Sequence, residues 1–519
     1  MIKLILFIIN SFCYYKICCI KTNDKVVTSV SEGKIIEIYN QGLTQVMSVI
    51  KELTNEIKGL NSQVETLSKD NKALSARVKS LESQVNKNSN NSSKPPSSDG
   101  FKKKTKSLRT KSGKSPGGQK GHEGNTLELS DNPDEVVIHA VGKCETCGVS
   151  LENETPESYI IRQVIDIEEA KPKVTEHRAE NTRCPKCGAM NKGKFPKDII
   201  NTVQYGERVK ATAVYLTQYQ LIPYKRSKEL IDDLLGINLS EGTIANFNMY
   251  CYEATEPLED NIKNEIINNS GATHFDETGM YIDKKRQWLH VASTEKYTYY
   301  EAHEKRGQKA MDEIGILPNF QGTAVHDSLK SYNKYTNCSH ALCNAHILRE
   351  LNAISELEEQ DWAEPMKNLL LEIKKEVDLN YNTANALTLD KIEAFEKRYA
   401  QILEDGFKED YIANGKSYSE EKAKNSTSLN LLNRLSGQKN EILAFMYDFD
   451  IPFDNNLAER DLRMTKVKQK ISGTFRSVEG AKAFTRIRGY ASTARKNGLS
   501  VFECIKSIFT ENPIDPTLA

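Results

Sequence analysis

The sequence predicts a multidomain α+β protein, and three features lead to this prediction. A heptad repeat of apolar residues runs from Val46 to Val85, two C-x-x-C pairs lie within residues 144–187, and short strand-like runs follow residue 269. A chain of 519 residues is also longer than one hydrophobic core usually serves, so several domains are expected.

Charge is balanced over the chain but segregated along it. The 71 basic residues equal the 71 acidic ones, yet nine basic residues accompany only Asp99 between Lys94 and Lys120, and eleven accompany two acidic residues between Arg460 and Lys496. Phosphate contacts depend on local charge, so the two blocks predict a polyanionic partner. Solvated faces and tails are the alternative for either block alone.

The first 34 residues form an atypical segment. Its apolar run is interrupted at Lys16, short of the roughly 20 residues that span a membrane, and no small-residue cleavage site follows. We predict that this segment is not a functional signal. A start codon assigned too far upstream in the reading frame is one explanation for its unusual sequence. The C-x-x-C pairs indicate metal ligation in a reducing compartment, so we expect a cytoplasmic, nucleoid-associated protein.

The heptad repeat predicts a leucine-zipper-like coiled coil over residues 35–88. Ile or Val at a with Leu at d favours a parallel dimer, and a single Asn at a fixes the register. An amphipathic helix packed on its own protein is the alternative. The a positions are Ile50, Ile57, Val64, Asn71, Val78 and Val85, and the d positions are Val46, Leu53, Leu60, Leu67, Leu74 and Leu81.

Residues 89–130 are predicted to be a basic, flexible linker, because Asn, Ser, Pro and Gly remove helix propensity. A zinc-binding ribbon is predicted over 131–200 from the pairs Cys144/Cys147 and Cys184/Cys187, each followed by glycine. Four thiolates so arranged make a tetrahedral zinc site, and a redox pair is the alternative. Strands are predicted at 158–167 and 173–180.

Residues 201–268 are predicted to be a helical, DNA-binding or connecting region, with a break at Ile222-Pro223 and a Ser240 cap.

After residue 269, three strand-like segments, a helical segment and a fourth strand follow one another. This order is the start of a ribonuclease H-like α/β domain. We assign the catalytic core to 269–345 and 441–500, a helical insertion to 346–440 and a C-terminal tail to 501–519. In this topology the first and fourth strands are neighbours.

Two aspartates sit on those neighbouring strands. Asp276 lies in the middle of the first strand, where Asp is disfavoured, and strand alternation puts Glu277 on the other face. Asp327 follows the fourth strand. Desolvated carboxylates repel each other unless a divalent cation relieves them, so the pair predicts a metal site. An exposed edge residue and a helix N-cap are the respective alternatives.

Glu459 follows three good N-cap residues, Asp454, Asn455 and Asn456, so it belongs to an early helical turn. Locally, an innocuous i,i+4 pair with Arg463 is the simplest interpretation.

Six motifs together resemble the insertion-sequence-66 (IS66) family of bacterial transposases. They are HFDETG, VHDSLKSY, CNAHILREL and DNNLAERDLR, and, earlier in the chain, NSSKPPSSDG and GGQKGHEG. The resemblance covers most of the chain beyond about its first 30 residues. It implies a zinc-binding module behind a zipper-like segment, and then a DDE catalytic domain. It places the catalytic, metal-binding triad on Asp276, Asp327 and Glu459.

The resemblance also implies partners and cofactors. Mg²⁺ (or Mn²⁺) is expected at the triad and structural Zn²⁺ at the cysteines. Cys343 and His346 match a C-x-x-H motif, for which an auxiliary role is expected. In the alternative interpretation, Cys343 is a core cysteine and His346 is a helix histidine with its hydrogen bonds satisfied. Expected partners are the terminal inverted repeats, target DNA, a second copy of the chain and small accessory proteins. The expected DNA-binding residues are Lys102, Lys103, Lys104, Lys106, Arg109, Arg460, Arg463, Lys466, Lys468 and Lys470.

Two rival functions stay open from the sequence. One is a nuclease or resolvase of the same fold that cuts without joining. The other is an inactive, dimeric zinc-ribbon DNA-binding protein.

Overall fold

The computed structural model of the chain describes residues 32–92, 127–167, 169–414, 426–510 and 512–519. These residues form two compact units, divided after Asn86. No helix among them combines the length and hydrophobicity needed to cross a membrane. The apolar run of the N-terminal segment and the basic residues Lys102, Lys103, Lys104, Lys106 and Arg109 lie outside the described residues, so the interpretations of both stay predictions.

The N-terminal unit consists of two helices, α1 (Glu32–Asn40) and α2 (Leu43–Asn86), separated at Gly42, whose φ is +100°. The 44 residues of α2 confirm the long helix that the heptad repeat predicts. Its d positions are exposed along the helix, with Leu60, Leu67 and Leu74 at 59%, 67% and 66%. The apolar stripe is therefore presented on the surface of this unit.

In the cysteine-containing region, regular structure within the described part of residues 127–200 is confined to two strands. These are β1 (Asn181–Arg183) and β2 (Met190–Lys192), which pair antiparallel on either side of the second cysteine pair. The predicted strands at 158–167 and 173–180 are wrong, since neither segment pairs with another. Ile160, Val164 and Ile167 are 92%, 92% and 90% exposed. Alternating apolar residues form a stable strand only where a partner strand and a core accept them.

Four helices follow, as the sequence predicts for this region. The first three pack around a core that includes Ile231, Leu239 and Ile244, whereas the fourth contributes Ile262 to a core shared with the sheet. The predicted Ser240 cap is confirmed, because its hydroxyl oxygen accepts a 2.9 Å hydrogen bond from the Thr243 backbone N–H. The helices are α3 (Glu207–Val214), continued by a π-helical turn at Tyr215–Tyr219, α4 (Tyr224–Leu235), α5 (Glu241–Ala254) and α6 (Glu256–Ile267).

A five-stranded mixed sheet occupies the centre of the larger unit, with strand order β5-β4-β3-β6-β7. The first three strands in sequence pair antiparallel, whereas β6 is parallel to both β3 and β7. The helix α7 (Gln308–Ile314) connects β5 to β6. This arrangement confirms the predicted element order and the predicted neighbours β3 and β6. The strands are β3 (Ala272–Ile282), β4 (Lys285–Ser293), β5 (Thr298–His303), β6 (Thr323–His326) and β7 (Ser339–Leu342).

Both faces of this sheet are covered. On one face, Met280 and Val291 pack with Leu462 of a later helix. On the other face, Phe275 packs with Ile262 of α6 and with other apolar side chains. A strand buried on both faces gives its polar residues little access to water, so Asp276 needs specific partners.

Five helices after β7 enclose a core of their own, which includes Trp362, Leu370, Tyr399 and Leu432. Their helical character is as predicted for the insertion, whose boundaries stay a prediction. The helices are α8 (Asn344–Ala353), α9 (Ala363–Asn380), α10 (Leu389–Asn414), α11 (Thr427–Gly437) and α12 (Lys439–Tyr447).

The last helices of the described chain are α13 (Asn456–Ser472) and α14 (Val478–Lys496), which pack on the sheet, and α15 (Val501–Ser507). Asp461 of α13 accepts hydrogen bonds from Lys496 of α14 (2.8 Å) and from the Ser293 hydroxyl at the end of β4 (2.7 Å). This buried pair fixes α13 across the sheet. Cys504 and Ile505 of α15 enter a core shared with α3 and α14, so this part of the predicted tail is packed.

Candidate active site

Asp276 lies on β3, directly opposite Val291 of β4. One of its carboxylate oxygens accepts a 2.8 Å hydrogen bond from the Glu277 backbone N–H. Burial raises the pKa of Asp276 well above its usual range, and the charges of Glu277, Asp327 and Glu459 raise it further. Asp276 is therefore at the centre of a group of carboxylates that repel one another.

Asp327 follows β6 at the point where the strand ends. It lies close to Asp276 because β3 and β6 are parallel neighbours, with His274 paired to Val325. Its Oδ1 accepts a 3.0 Å hydrogen bond from the Leu329 N–H, which closes a local turn. Its Oδ2 is 3.8 Å from Nη2 of Arg306. The turn holds one carboxylate oxygen, and the guanidinium lies beside the other.

Glu277 was not predicted as part of the site. Its side chain is 0% exposed, and its two oxygens accept hydrogen bonds from Nε of Arg306 and from the Tyr332 hydroxyl, both at 2.7 Å. Burial and the Asp327 charge nevertheless raise the pKa of Glu277. The Glu277 carboxylate is therefore a buried hydrogen-bond acceptor that holds the Arg306 guanidinium next to Asp327.

Glu459 lies in the first turn of α13. The local interpretation of an ion pair with Arg463 is wrong, since Glu459 Oε1 lies 3.6 Å from Arg349 Nη2 and 3.9 Å from His346 Nε2, and no Arg463 nitrogen comes within 4.0 Å. Burial raises the pKa of Glu459, and the Arg349 charge opposes this rise. Glu459 is partly buried, with its carboxylate beside α8 and its charge felt by Asp276, which the i,i+4 pattern alone does not indicate.

Asn455 joins the elements of the site. Its side-chain amide donates to the Phe275 carbonyl of β3 (2.8 Å), and its amide oxygen accepts from Nδ1 of His274 (2.8 Å). Its backbone N–H donates to the Cys343 thiol (3.2 Å), and its carbonyl accepts from the Glu459 N–H (3.2 Å). Asn455 is 1% exposed. It therefore connects the strand of Asp276 to the helix of Glu459.

The predicted capping role of these residues is thus only partly correct. Asn455 occupies the N-cap position of α13, but its side chain makes no cap hydrogen bond. Instead, Oδ1 of Asp454 accepts a 3.1 Å hydrogen bond from the Asn456 N–H. The amide of Asn455 is committed to β3.

Cys343 and His346 lie beside Glu459. Ligand atoms of these three residues lie within 4.8 Å of one another, and no other set of three His, Cys, Asp or Glu residues does so within the described ranges. Burial raises the pKa of Cys343 to about 12 and lowers that of His346 to about 4. Nδ1 of His346 is buried without a hydrogen-bond partner. His346 is therefore not the satisfied helix histidine of the alternative interpretation.

The three predicted triad residues thus surround one region but do not form such a close set. Asp327 is held beside Arg306, and Glu459 beside Arg349. The sequence could have indicated Asn455, which lies in the same motif as Glu459. Arg349 could have been indicated in the same way, since it lies in the motif CNAHILREL, whereas Arg306, in the loop before α7, lies outside every quoted motif.

The two cysteine turns have the same geometry. The N–H groups of Cys144 and Cys184 donate 2.8 Å hydrogen bonds across their turns to Val149 and Ala189, respectively. Gly148 and Gly188 have φ values of +75° and +72°, which explains the glycine after each pair. Hydrogen bonds from the backbone of the second cysteine in each pair lower the pKa of Cys144 and Cys184. No three of the four sulfurs of Cys144, Cys147, Cys184 and Cys187 lie within 4.8 Å of one another.

Comparison with known proteins identifies the family. A sequence model described as "Transposase IS66 family" matches residues 202–483, more than half of the chain. The chain belongs to the IS66 transposase family. The matched region contains Asp276, Asp327 and Glu459, and it runs from the helices before the sheet into α14. The family resemblance of the motifs is therefore confirmed.

Two further family models match this IS66 protein outside the sheet. The "zinc-finger binding domain of transposase IS66" matches residues 142–188, which contain all four cysteines, and a "Family of unknown function (DUF6444)" matches residues 44–128. Together with the matching geometry of the two cysteine turns, the zinc-finger match supports a structural zinc site.

One curated relative is an "Uncharacterized protein y4jO" from Sinorhizobium fredii (strain NBRC 101917 / NGR234). It is 43% identical over 70 residues, which are 14% of this chain and 22% of that protein. The match thus spans about a fifth of the relative's length.

The predicted DNA contacts on α13 of this IS66 protein differ in their surroundings. Arg460, Arg463 and Lys470 are exposed. In contrast, Nζ of Lys466 donates to the Gly279 carbonyl (2.5 Å), and Nζ of Lys468 donates to the Thr217 carbonyl (3.4 Å). The first three side chains extend toward solvent, whereas the last two also tie α13 to neighbouring elements.

Proposed function

We propose that this protein is the DNA transposase of an insertion sequence, which cleaves phosphodiester bonds at the element ends and joins them to target DNA. The observation that carries the proposal is the carboxylate cluster around Asp276, where burial and three acidic neighbours raise the pKa. Such a cluster is costly for stability and is typical of functional sites. Family membership supports the same reaction.

We further propose a ribonuclease H-like catalytic domain made of residues 269–345 and 441–500, interrupted by the insertion 346–440. Three antiparallel strands followed by a helix and a parallel strand beside the first one support this assignment. Asp276 on the first strand, Asp327 after the fourth and Glu459 on a later helix are the proposed triad.

The residues present fit a divalent cation. Carboxylate oxygens are the ligands that Mg²⁺ and Mn²⁺ prefer, and the mutual repulsion at Asp276 is the kind that a cation relieves. When bound by Asp276, Asp327 and Glu459, Mg²⁺ or Mn²⁺ would activate the attacking oxygen and stabilise the leaving oxygen. His346, neutral because its pKa is lowered to about 4, lies beside Glu459 and is proposed to orient it.

The proposed reaction has two displacements. In cleavage, a water oxygen bonds to the scissile phosphorus and loses a proton to solvent. The bond between this phosphorus and the 3′ oxygen breaks, and the 3′ oxygen takes a proton from solvent, which leaves a 3′-hydroxyl and a 5′-phosphate. In joining, that 3′-hydroxyl loses its proton and bonds to a target phosphorus, whose own bond to a 3′ oxygen breaks. Asn455 keeps Asp276 and Glu459 in a fixed relation throughout.

We also propose that α2 forms a parallel coiled coil, which makes the protein a homodimer or a higher oligomer. The exposed stripe of Leu60, Leu67 and Leu74 supports this proposal. The terminal inverted repeats and target DNA are the proposed partners, contacted by the exposed α13 residues and by the basic arm. Small accessory proteins of the same element are a further proposed partner.

The test is an assay of the full-length protein with a labelled duplex of the element end and a target plasmid, in Mg²⁺. We expect joined products, and we expect Glu459→Gln to abolish both cleavage and joining while end binding remains. Glu479→Gln is the matched control, because Glu479 also lies in the first turn of a helix within the same basic block but is exposed. Cleavage without joining would indicate a nuclease, and binding without cleavage an inactive DNA-binding protein.

A further inference from the structure

A group of cations surrounds Gly279, which follows Asp276 on the same strand, β3. Nζ of Lys466 donates to the Gly279 carbonyl (2.5 Å), and Arg286 of β4 lies alongside the glycine. Within the described part of the chain, no carboxylate oxygen comes within 4.0 Å of the charged nitrogens of Arg286 or Lys466. The adjacent hairpin turn adds Lys284 and Lys285, both exposed. The acid of this turn, Asp283, is exposed, and neither Arg286 nor Lys466 pairs with a carboxylate among the described residues.

Gly279 provides the space for this arrangement. A Cβ atom there would lie 3.2 Å from Nε and 3.4 Å from Nη2 of Arg286. Glycine weakens a strand interior, so its presence in the central strand indicates a close approach by another group. The Arg286 guanidinium occupies the room that a side chain would otherwise take.

Trp288 extends the group toward the carboxylates. It pairs with Gly279 across the two strands, and its partly exposed indole carries two guanidinium groups, with Cζ of Arg286 at 4.6 Å and Cζ of Arg306 at 4.9 Å from the ring centre. Arg306 also lies 3.8 Å from Asp327 and is held by the buried Glu277. A continuous row of cations therefore leads from the hairpin to the carboxylate cluster. We call Arg286, Trp288, Arg306 and Lys466 the Trp288 cluster.

This combination of groups matches a nucleic acid strand. Guanidinium forks bind phosphate oxygens, and the Trp288 ring holds two of them side by side near the carboxylates. The charge has the right sign for a polyanion, and the row ends where the scissile bond would lie. A role in stability alone accounts for Arg306, which pairs with Glu277, and for the contact of Lys466 with Gly279, but not for the charge of Arg286, which pairs with no carboxylate in the described chain.

We infer that the Trp288 cluster binds the DNA strand that enters the carboxylate site, with its phosphates on Arg286, Arg306 and Lys466 and a base near Trp288. The inference rests on the proposed function and adds to the predicted Lys466 three residues that lie outside the sequence motifs, Arg286, Trp288 and Arg306. Arg306, which touches Asp327, is the member nearest the reacting phosphate.

The intrinsic fluorescence of the full chain gives a direct test, because the protein has only two tryptophans. Trp362, the other one, is 3% exposed in the core of the insertion helices. The probe is a duplex with the terminal repeat read from the DNA that flanks the gene, and its binding is followed separately by anisotropy of a label on the DNA. We expect the duplex to quench the wild-type emission, and we expect Trp288→Phe to remove the quenching while binding persists.

The second measurement is the salt dependence of binding. Arg286→Gln should weaken binding and reduce the slope of log affinity against log salt by about one, as expected for one lost phosphate contact. Arg398→Gln is the control, since Arg398 is half-exposed and pairs with Glu372 on the insertion helices. Arg286 is exposed, so its substitution leaves the core intact.

The outcomes separate the two proposals. Bound DNA with unchanged Trp288 emission, together with an unchanged salt slope for Arg286→Gln, would overturn the Trp288 cluster as a DNA-binding surface and leave the transposase proposal standing. No binding of the terminal repeat by the wild-type chain would overturn both.

Discussion

The cysteine region and the region of the central sheet each contain four acidic or thiol side chains. The two regions position these side chains in different ways. In the cysteine region, each pair is shaped by its own turn, with Gly148 and Gly188 in the left-handed region, and the two pairs stay apart. At the sheet, the four carboxylates come from three separate stretches of backbone: Asp276 and Glu277 from β3, Asp327 from the end of β6, and Glu459 from α13. The charges of the other three raise the pKa of Asp276. Local hydrogen bonds position one pair of cysteines at a time, whereas tertiary packing brings the carboxylates of separate elements together.

The largest expected effect is at Asp276. Asp276→Asn should lower strand cleavage by on the order of a thousandfold, because it removes a charged ligand from the reacting centre. Thermal stability should not fall, since a neutral amide replaces a buried carboxylate whose pKa is raised by its neighbours. Cleavage assays and thermal melts of the same preparation check both statements. Cleavage at the wild-type rate would contradict the assignment.

The next effect is at Asn455, which joins the sheet to α13. Asn455→Ala should leave the Phe275 carbonyl and the His274 Nδ1–H without their partner, lowering the free energy of unfolding by about 2–4 kcal/mol. The Mn²⁺ concentration that half-saturates cleavage should also rise, because Asp276 and Glu459 lose their fixed relation. The control is Asn456→Ala, at an exposed neighbour. If both variants behaved alike, the positioning role would be wrong.

Zinc ligation is expected to be separable from the sheet. Cys184→Ser should reduce bound zinc from roughly one ion per chain to almost none, because a structural site needs all four ligands. The urea midpoint of the sheet should stay unchanged. Metal analysis by mass spectrometry and urea unfolding provide the readouts, with Cys338→Ser as the control at a cysteine outside the pairs. A loss of sheet stability in Cys184→Ser would show that the two regions depend on each other.

The smallest expected effect is a pH dependence within the sheet. Burial lowers the pKa of His290 to about 4, so the folded state resists protonation below the ordinary value of 6.5. The unfolded state takes up the proton, and stability is therefore lost as the pH falls from about 6.5 toward about 4. Between about pH 7.5 and about pH 5 the loss should be about 1–2 kcal/mol. Urea unfolding of His290→Gln should lack this part of the loss, and an equal loss in both proteins would rule it out.

Much of the sheet could be predicted from the sequence, and the reason is local. The segment around Asp276 is rich in β-branched and aromatic residues, the one before Asp327 is a short apolar run, and the order of the elements determined which strands are neighbours. The same pattern failed at 158–167, because Ile160 and Val164 have no core to enter in the described chain. Alternation predicts a strand only when something covers one of its faces.

The site was harder to predict than the fold. Glu459 and Arg463 have the spacing of an ion pair, but Arg349 and His346 arrive from α8, more than a hundred residues earlier, and take the carboxylate. Asn455 has the sequence of a helix cap, yet its amide bonds to β3. In both cases a distant element competes with a local one, and sequence spacing describes only the local one.

The measurement that tests the central claim most directly is Mn²⁺ binding to the full-length protein, followed by electron paramagnetic resonance without DNA. If Asp276, Asp327 and Glu459 form one cation site, the wild type and Glu479→Gln should bind Mn²⁺ equally, whereas Asp276→Asn and Glu459→Gln should each lose that binding. Equal Mn²⁺ binding by all four proteins would contradict the carboxylate cluster as the metal site.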